Sequence, residues 1–370
     1  MSAAVEDLLF GEVKRLCYAG LDATTLCRQA AEVLRRAVPF ESHCFFTTDP
    51  LSGLVTDAVT ELSKAEGLFF YEHVHFEDDT NDFVHMAQNR RPVALLSEAT
   101  GGKLERSLRY RRFVRPRGFE HELRGAFTEG RALWGGMELE RERGRPDFND
   151  RELALVSRLA PHLGAGLKAA TLRQEASVDD NGAGGDGSAG ILVFDSREQL
   201  VQRTAAAGRW LRELNDRGEG WQEGSRLPVP VLMVIGALRR VLRPEKDRDL
   251  DSVPRVCVRA RSGRWLTLQA DLTESSSERP GETVVVIEPA GIRDVAWLHK
   301  SAYGLSGREQ AVVDLVVQGA STKQISRALH ISQYTVQDHL SNVFDKVGVR
   351  NRQALVKRLF FDSLLSRLNK

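Results

Sequence analysis

Three helix-start signals fall in quick succession near the end of the chain, and they leave that stretch few ways to fold. Ser306-Gly-Arg-Glu309 is a capping box, in which a Ser hydroxyl and a Glu carboxylate take up the free N–H groups of a new helix. Ser321-Thr-Lys-Gln324 repeats the pattern, and Gly319 is placed to end the helix before it. Ser332 then caps a third helix after the short turn His330–Ile331. Two short helices joined by a tight turn, with another ahead of them, read as a helix-turn-helix, expected here over 321–340.

The third helix can be resolved into faces. Val336, Leu340, Val343 and Val347 recur at steps of four, three and four and form the expected buried stripe, with Phe344 at its edge. At about 100° per residue, Tyr334, Asp338, Ser341 and Asp345 then point the opposite way, flanked by Gln337 and Asn342. A stripe of exposed hydrogen-bonding side chains is what a helix needs to read base edges in a major groove. Thr322, Lys323 and Thr335 lie at helix N-termini, where free N–H groups and the dipole favour phosphate, Lys346 adds a cation, and Gln333 joins the expected DNA-binding residues. Charge agrees. From Lys300 to Lys370 there are 11 Lys and Arg against 5 Asp and Glu, in a chain whose formal net charge is only +1.

The stretch LSGREQAVVDLVVQGASTKQISRALHISQYTVQDHLSNVFDKVGVRNRQALV resembles the LuxR/NarL-type DNA-binding domain over its full length. The matching residues are Leu305, Ser306, Arg308, Glu309 and Gly319, then Ile325, Leu329, Ile331 and Ser332 around the turn. Thr335-Val336, His339-Leu340, Lys346 to Val349 and Asn351-Arg352 complete the match. The chain departs from the pattern at Gln337, where the family commonly carries Lys, and at Asp338 beside it. The resemblance implies a four-helix, all-α domain over 305–370 that binds a two-fold-related double-stranded DNA site as a homodimer. Leu355, Val356 and Leu359 are the expected pairing residues.

At 370 residues the chain is long enough for two or three domains. Asp179–Gly190, DDNGAGGDGSAG, has nothing large enough to anchor a core and marks a linker, expected over 176–189. Before it, Val5–Ala37 has helical spacing, the runs HCFFTTD, GLVTDAVT, PVALLS, RGAFTE and ALWGGMELE read as strands, and DFNDRELALVSRLAPHLGAGLKAATL closes the block as a helix. With its turn-plus-helix RPDFNDRELALVSRLAPHL, residues 1–175 resemble a GAF domain. From 190 to 290 a strand, a short strand, a helix on Ala205, Ala206, Trp210 and Leu211, and three β-runs follow in an order that resembles a PAS domain. Thr273–Gly281 reads as a hairpin loop between two of those runs, and 291–304 as a connector. The expected fold class is therefore multidomain α+β: two α/β sensory modules, GAF-like and PAS-like, followed by an all-α helix-turn-helix domain.

Several patterns that can carry chemistry are weaker. Gly182-Ala-Gly-Gly-Asp-Gly187 matches GxGxxG literally, but a helix precedes it and a strand follows, the reverse of a dinucleotide site. His73 and His75 alternate as on one face of a strand, with Glu77, Asp78, Asp79 and Asp82 nearby, and read as a solvated acidic loop ahead of a metal site. His121-Glu122 lacks the second His of a zinc-protease helix. Arg106, Arg109, Arg111, Arg112, Arg115, Arg117 and Arg124 read as a solvated face with some ion pairs. Trp134 and Trp210 are expected in the core. No nucleophile, base and oxyanion hole assemble, so no enzyme is expected.

The four cysteines, Cys17, Cys27, Cys44 and Cys257, have no metal-ligand spacing and read as reduced thiols, mostly buried. No secretory signal or membrane-length apolar run is read in the sequence, so a cytoplasmic location is expected. No cofactor is expected. The segment from Gly190 to Pro289 has no His to offer a haem, and Cys257 sits outside any flavin-adduct motif. The expected function is a dimeric transcription regulator whose DNA binding answers to a small-molecule effector or another signal in the front half. The alternative is a front half that serves only as a dimerisation scaffold.

Overall fold

The computed structural model describes residues 3–77, 80–130, 132–173, 187–214, 227–242, 254–274, 281–291, 303 and 305–356. The chain forms two compact units, Met1–Pro289 and Ala290–Lys370, each taken by itself. The expected linker falls largely outside the described residues, as do Asp78, Asp79 and most of 291–304.

The first unit opens with two helices where one helical stretch is expected. α1 (Ala3–Tyr18) and α2 (Ala23–Ala37) are separated at Gly20, whose φ of 80° breaks the helix, and Asp22 caps the second by accepting from the Thr25 N–H at 2.9 Å. β1 (Ser42–Thr48), β2 (Val55–Thr60), β3 (Val93–Leu95), β4 (Phe119–Glu129) and β5 (Ala132–Glu142) make an antiparallel sheet in the order β2-β1-β5-β4-β3. Asn149 and Glu152 cap each other at the start of α6 (Asp150–Arg173). Phe45 and Met137 on one sheet face meet Val13, Ala30 and Leu34 of the first two helices and Val156, Leu159 and Leu163 of α6. Gly164 lets α6 lie against β4: a Cβ there would stand 2.5 Å from the Thr128 carbonyl oxygen.

The opposite sheet face is covered by α3 (Lys64–His73), α4 (Phe83–Gln88), α5 (Leu96–Thr100) and a π-turn over Tyr110–Val114. His73 thus ends a helix and is not on a strand. A capping box of Ser63 and Glu66 starts that helix, and local N–H satisfaction outweighs the alternation of two histidines. His75 follows it, packed on Phe70, Tyr71 and Phe76, and burial lowers its imidazole to about 4, helped by the Arg124 charge. Among the described residues no group of His, Cys, Asp or Glu is arranged to hold a metal.

A second antiparallel sheet holds β6 (Gly190–Phe194), β7 (Leu200–Arg203), β8 (Arg255–Arg259), β9 (Trp265–Leu272) and β10 (Thr283–Pro289), in the order β7-β6-β10-β9-β8. α7 (Ala205–Leu214) packs on it through Ala207, Trp210 and Leu211. β9 and β10 form the expected hairpin, with Leu272 opposite Thr283. Trp134 and Trp210 are both in the core.

α8 (Val229–Val241) is buried on two sides. Val231, Val234, Ile235 and Leu238 join the second sheet's core, whereas Val229, Leu232 and Met233 enter the aromatic cluster of the first sheet with Phe70, Phe83 and Phe113. Gly236 faces Phe76 so closely that a Cβ would run into the ring. Elsewhere in this unit the buried Asp49 carboxylate accepts from the Cys257 N–H of β8 at 3.0 Å, and also from Leu51 N–H and Ser52 Oγ. Burial pushes this carboxyl up, and those hydrogen bonds oppose it. Cys17, Cys27 and Cys257 are buried free thiols and Cys44 is half-buried. Among the described residues no helix is long and apolar enough to cross a membrane.

Candidate nucleic-acid interface

The second unit is built by its caps. Ser306 Oγ accepts from Glu309 N–H, and Glu309 Oε2 accepts from Ser306 N–H at 2.6 Å, to start α9 (Gly307–Val317). Gly319, at φ 81°, ends it. Ser321 and Gln324 repeat the box at α10 (Thr322–Ala328). The turn that follows puts His330 at φ 53°, and Ile331 bonds back to Ser326 through both its N–H and its carbonyl. Ser332 Oγ accepts from Thr335 N–H at 3.0 Å to start α11 (Gln333–Val347), which stops at Gly348, φ 72°. Asn351 caps α12 (Arg352–Val356).

Val336, Leu340, Val343 and Val347 are buried with Leu305, Val312, Val313, Val316, Ile325 and Leu355, and Phe344 packs at the edge. Removing that stripe from water fixes the rotation of α11. Gln333, Tyr334, Gln337, Asp338, Ser341, Asn342 and Asp345 are consequently exposed, and Thr335 is half-buried beside its cap. Tyr334 stands out at 73% exposure. On α10, Lys323 is exposed and Thr322 half-buried at the first turn.

The structure adds a partner to one expected site residue and corrects another. Lys346 Nζ lies 2.6 Å from Glu309 Oε2, whose side chain is 5% exposed. Burial pushes the Glu309 carboxyl up, but the bonds from Lys346 and Ser306 together hold it below its ordinary value. The ammonium therefore ties the end of α11 to the start of α9 while its side chain stays 39% exposed. Leu355 is fully buried in the unit's own core, so it cannot also line a surface between two copies. Val356 packs partly buried against the same core, and Leu359 lies outside the described residues. Glu309 is legible in the sequence as a cap, but its pairing with Lys346, on a helix two elements later, is not.

The first unit has a second charged constellation, also different from expectation. Arg109, Arg117 and Arg124 turn inward against the sheet. Arg109 grips Glu122 with two hydrogen bonds of 2.8 Å, and Arg124 spans Glu122 and Glu138. Arg117 reaches Glu140 at 2.8 Å and Ser42 Oγ at 3.1 Å, with its guanidinium over Phe113 and Phe119. Register makes this possible. Glu122 and Ser42 stand opposite Glu140, and Arg124 and Cys44 opposite Glu138, on one face. Burial raises Glu140 to about 7 against the pull of Arg117, and raises Glu138 against that of Arg124. Arg106, Arg111 and Arg115 stay outside on Thr100, Glu105 and Glu105.

The model of the family described as bacterial regulatory proteins, luxR family, matches residues 304–359, the span of the four short helices. The spore germination protein GerE of Bacillus subtilis is 46% identical over 56 residues, which cover 76% of that protein and 15% of this chain. This chain belongs to the luxR family. The monoamine regulon transcriptional regulator of Klebsiella aerogenes is 38% identical over 95 residues, but the match spans only 42% of that protein and 25% of this one. A solved complex of Vibrio cholera VqmA with ligand and DNA covers 48% of this chain and 83% of its own at 15% identity, with a TM-score of 0.21, a likeness too slight to carry the fold.

Proposed function

We propose that the chain is a sequence-specific DNA-binding transcription regulator that acts in the cytoplasm as a homodimer on a two-fold-related operator. The observation that carries this reading is the fixed rotation of α11: one stripe wholly buried, the opposite one wholly polar or aromatic and exposed. Gln337 and Asp338 read bases, Thr322, Lys323, Gln333 and Thr335 set phosphate contacts, and Ser341 and Asn342 lie further along the groove-facing side. Selection of bound duplexes from a random library by the full chain tests it. The expected result is one enriched two-fold-related sequence, and Gln337→Ala should flatten preference at one or two positions of each half-site. Uniform weakening at all positions would show that Gln337 faces the backbone.

The front modules, 1–175 and 190–290, are proposed to be GAF-like and PAS-like. Each sheet runs second-first-fifth-fourth-third in its own chain order, which supports that reading. The scaffold alternative gains support in the first module, because the sheet face away from its long helices is filled by ion pairs and by α8. Native mass spectrometry of the purified dimer separates the two: a retained small molecule favours an effector site, bare protein the scaffold.

A further inference from the structure

The exposed stripe of α11 contains one group that hydrogen bonding does not explain. Tyr334 sits at the second position of the helix, and at 73% it is the most exposed large hydrophobic side chain among the described residues. The ring is not on a frayed end: the Ser332 cap holds the Thr335 N–H at 3.0 Å and the Thr335 hydroxyl at 2.9 Å, so the first turn is fixed. Asp338 and Ser341, four and seven residues on, continue the same stripe. An aromatic ring left in water, among side chains suited to base edges, calls for an apolar patch on the partner. In a major groove that patch is the thymine 5-methyl group, and the first residues of a recognition helix are those that face base edges.

We propose that Tyr334 is a specificity-determining residue that reads thymine in each half-site by packing its ring on the 5-methyl group. The inference rests on the DNA-reading role proposed for α11. The test uses the full chain and the duplex it selects, with each thymine replaced in turn by deoxyuridine, which keeps every hydrogen-bonding atom and loses only the methyl. At one thymine per half-site the replacement should weaken wild-type binding about fourfold, the worth of one buried methyl. Tyr334→Ala should bind thymine and deoxyuridine duplexes alike, and Tyr334→Phe should keep the wild-type discrimination. Either a deoxyuridine effect that survives Tyr334→Ala or its loss in Tyr334→Phe overturns the proposal; the second points to the hydroxyl on a phosphate. If the wild-type chain enriches no sequence at all, the DNA-reading role itself fails, which is a different result from selection without methyl dependence. Tyr334 buries little, so circular dichroism melts of the variants should match the wild type and show that they are folded.

Discussion

His330 holds a left-handed backbone, φ 53°, in the turn between α10 and α11, where a Cβ costs roughly 1–2 kcal/mol that glycine does not. Glycine returns part of that as unfolded-chain entropy, about 0.4–1 kcal/mol. His330→Gly should therefore raise the melting temperature of the helical unit by a few degrees, and an unchanged or lower melt would show that the imidazole itself stabilises the turn. Lys346 and Lys323, both in this unit, should separate by readout. Lys346→Ala removes the partner of the buried Glu309 and should cost about 1–3 kcal/mol in urea unfolding. Lys323→Ala should leave stability alone and lower the salt slope of DNA binding by about one, since a lone exposed ammonium acts on phosphate. What was legible here was periodicity: the buried and exposed residues of α11 are those its spacing assigns. The destinations of Lys346 and Leu355 were not, because each is decided by a residue on another helix.

At the scale of elements, α8 was half legible. VPVLMVIGAL is apolar on every side, and such a helix is buried all round, but only the structure shows that its two faces belong to two different sheets. Gly236→Ala should drive Phe76 or the helix aside and destabilise the Met1–Pro289 unit by about 1–3 kcal/mol. Phe76→Leu in the same chain should recover part of the loss, because the smaller side chain clears the new Cβ. Strict additivity in that double-mutant cycle would show that the two residues do not oppose each other. The inward arginines were illegible for a related reason: strand register across the sheet selects which of seven find Glu122, Glu138 and Glu140. Burial raises Glu140 from 4.5 to about 7, so the folded state binds its proton more tightly than the unfolded chain does. The group's contribution is then greatest below the unfolded value and is lost as pH rises through about 7, on the order of 3 kcal/mol in total. Measured by urea midpoints, Glu140→Gln should gain stability relative to the wild type between pH 5 and pH 8. A difference that stays flat across that range would place the Glu140 carboxyl at its ordinary value.

For the whole molecule, the correction at Leu355 bears on how the proposed dimer would engage a two-fold-related operator. Its side chain is fully buried among Val312, Val316 and Val343, so recruiting it to a dimer surface would cost the helical unit its own core. Val356 is already packed partly against the same cluster, which leaves the described part of α12 without an apolar stripe to share. The helical unit is basic and self-contained, and the larger unit carries most of the chain's acidic residues and both sheets. Pairing through that larger unit would place two weak DNA-binding surfaces on one particle, and the second half-site is then met at an effective concentration set by the linkage. A two-fold-related operator suits that arrangement, with half-sites one helical turn apart or a multiple of it. The segment from about Ser301 to Lys370 should therefore sediment as a monomer and bind one half-site weakly. The full chain should sediment as a dimer and bind the two-fold-related site at least tenfold more tightly, an advantage that disappears when one half-site is scrambled. A fragment that matches the full chain in affinity for the intact operator would show that the helical unit pairs by itself, and would move the dimer contact to residues beyond Val356.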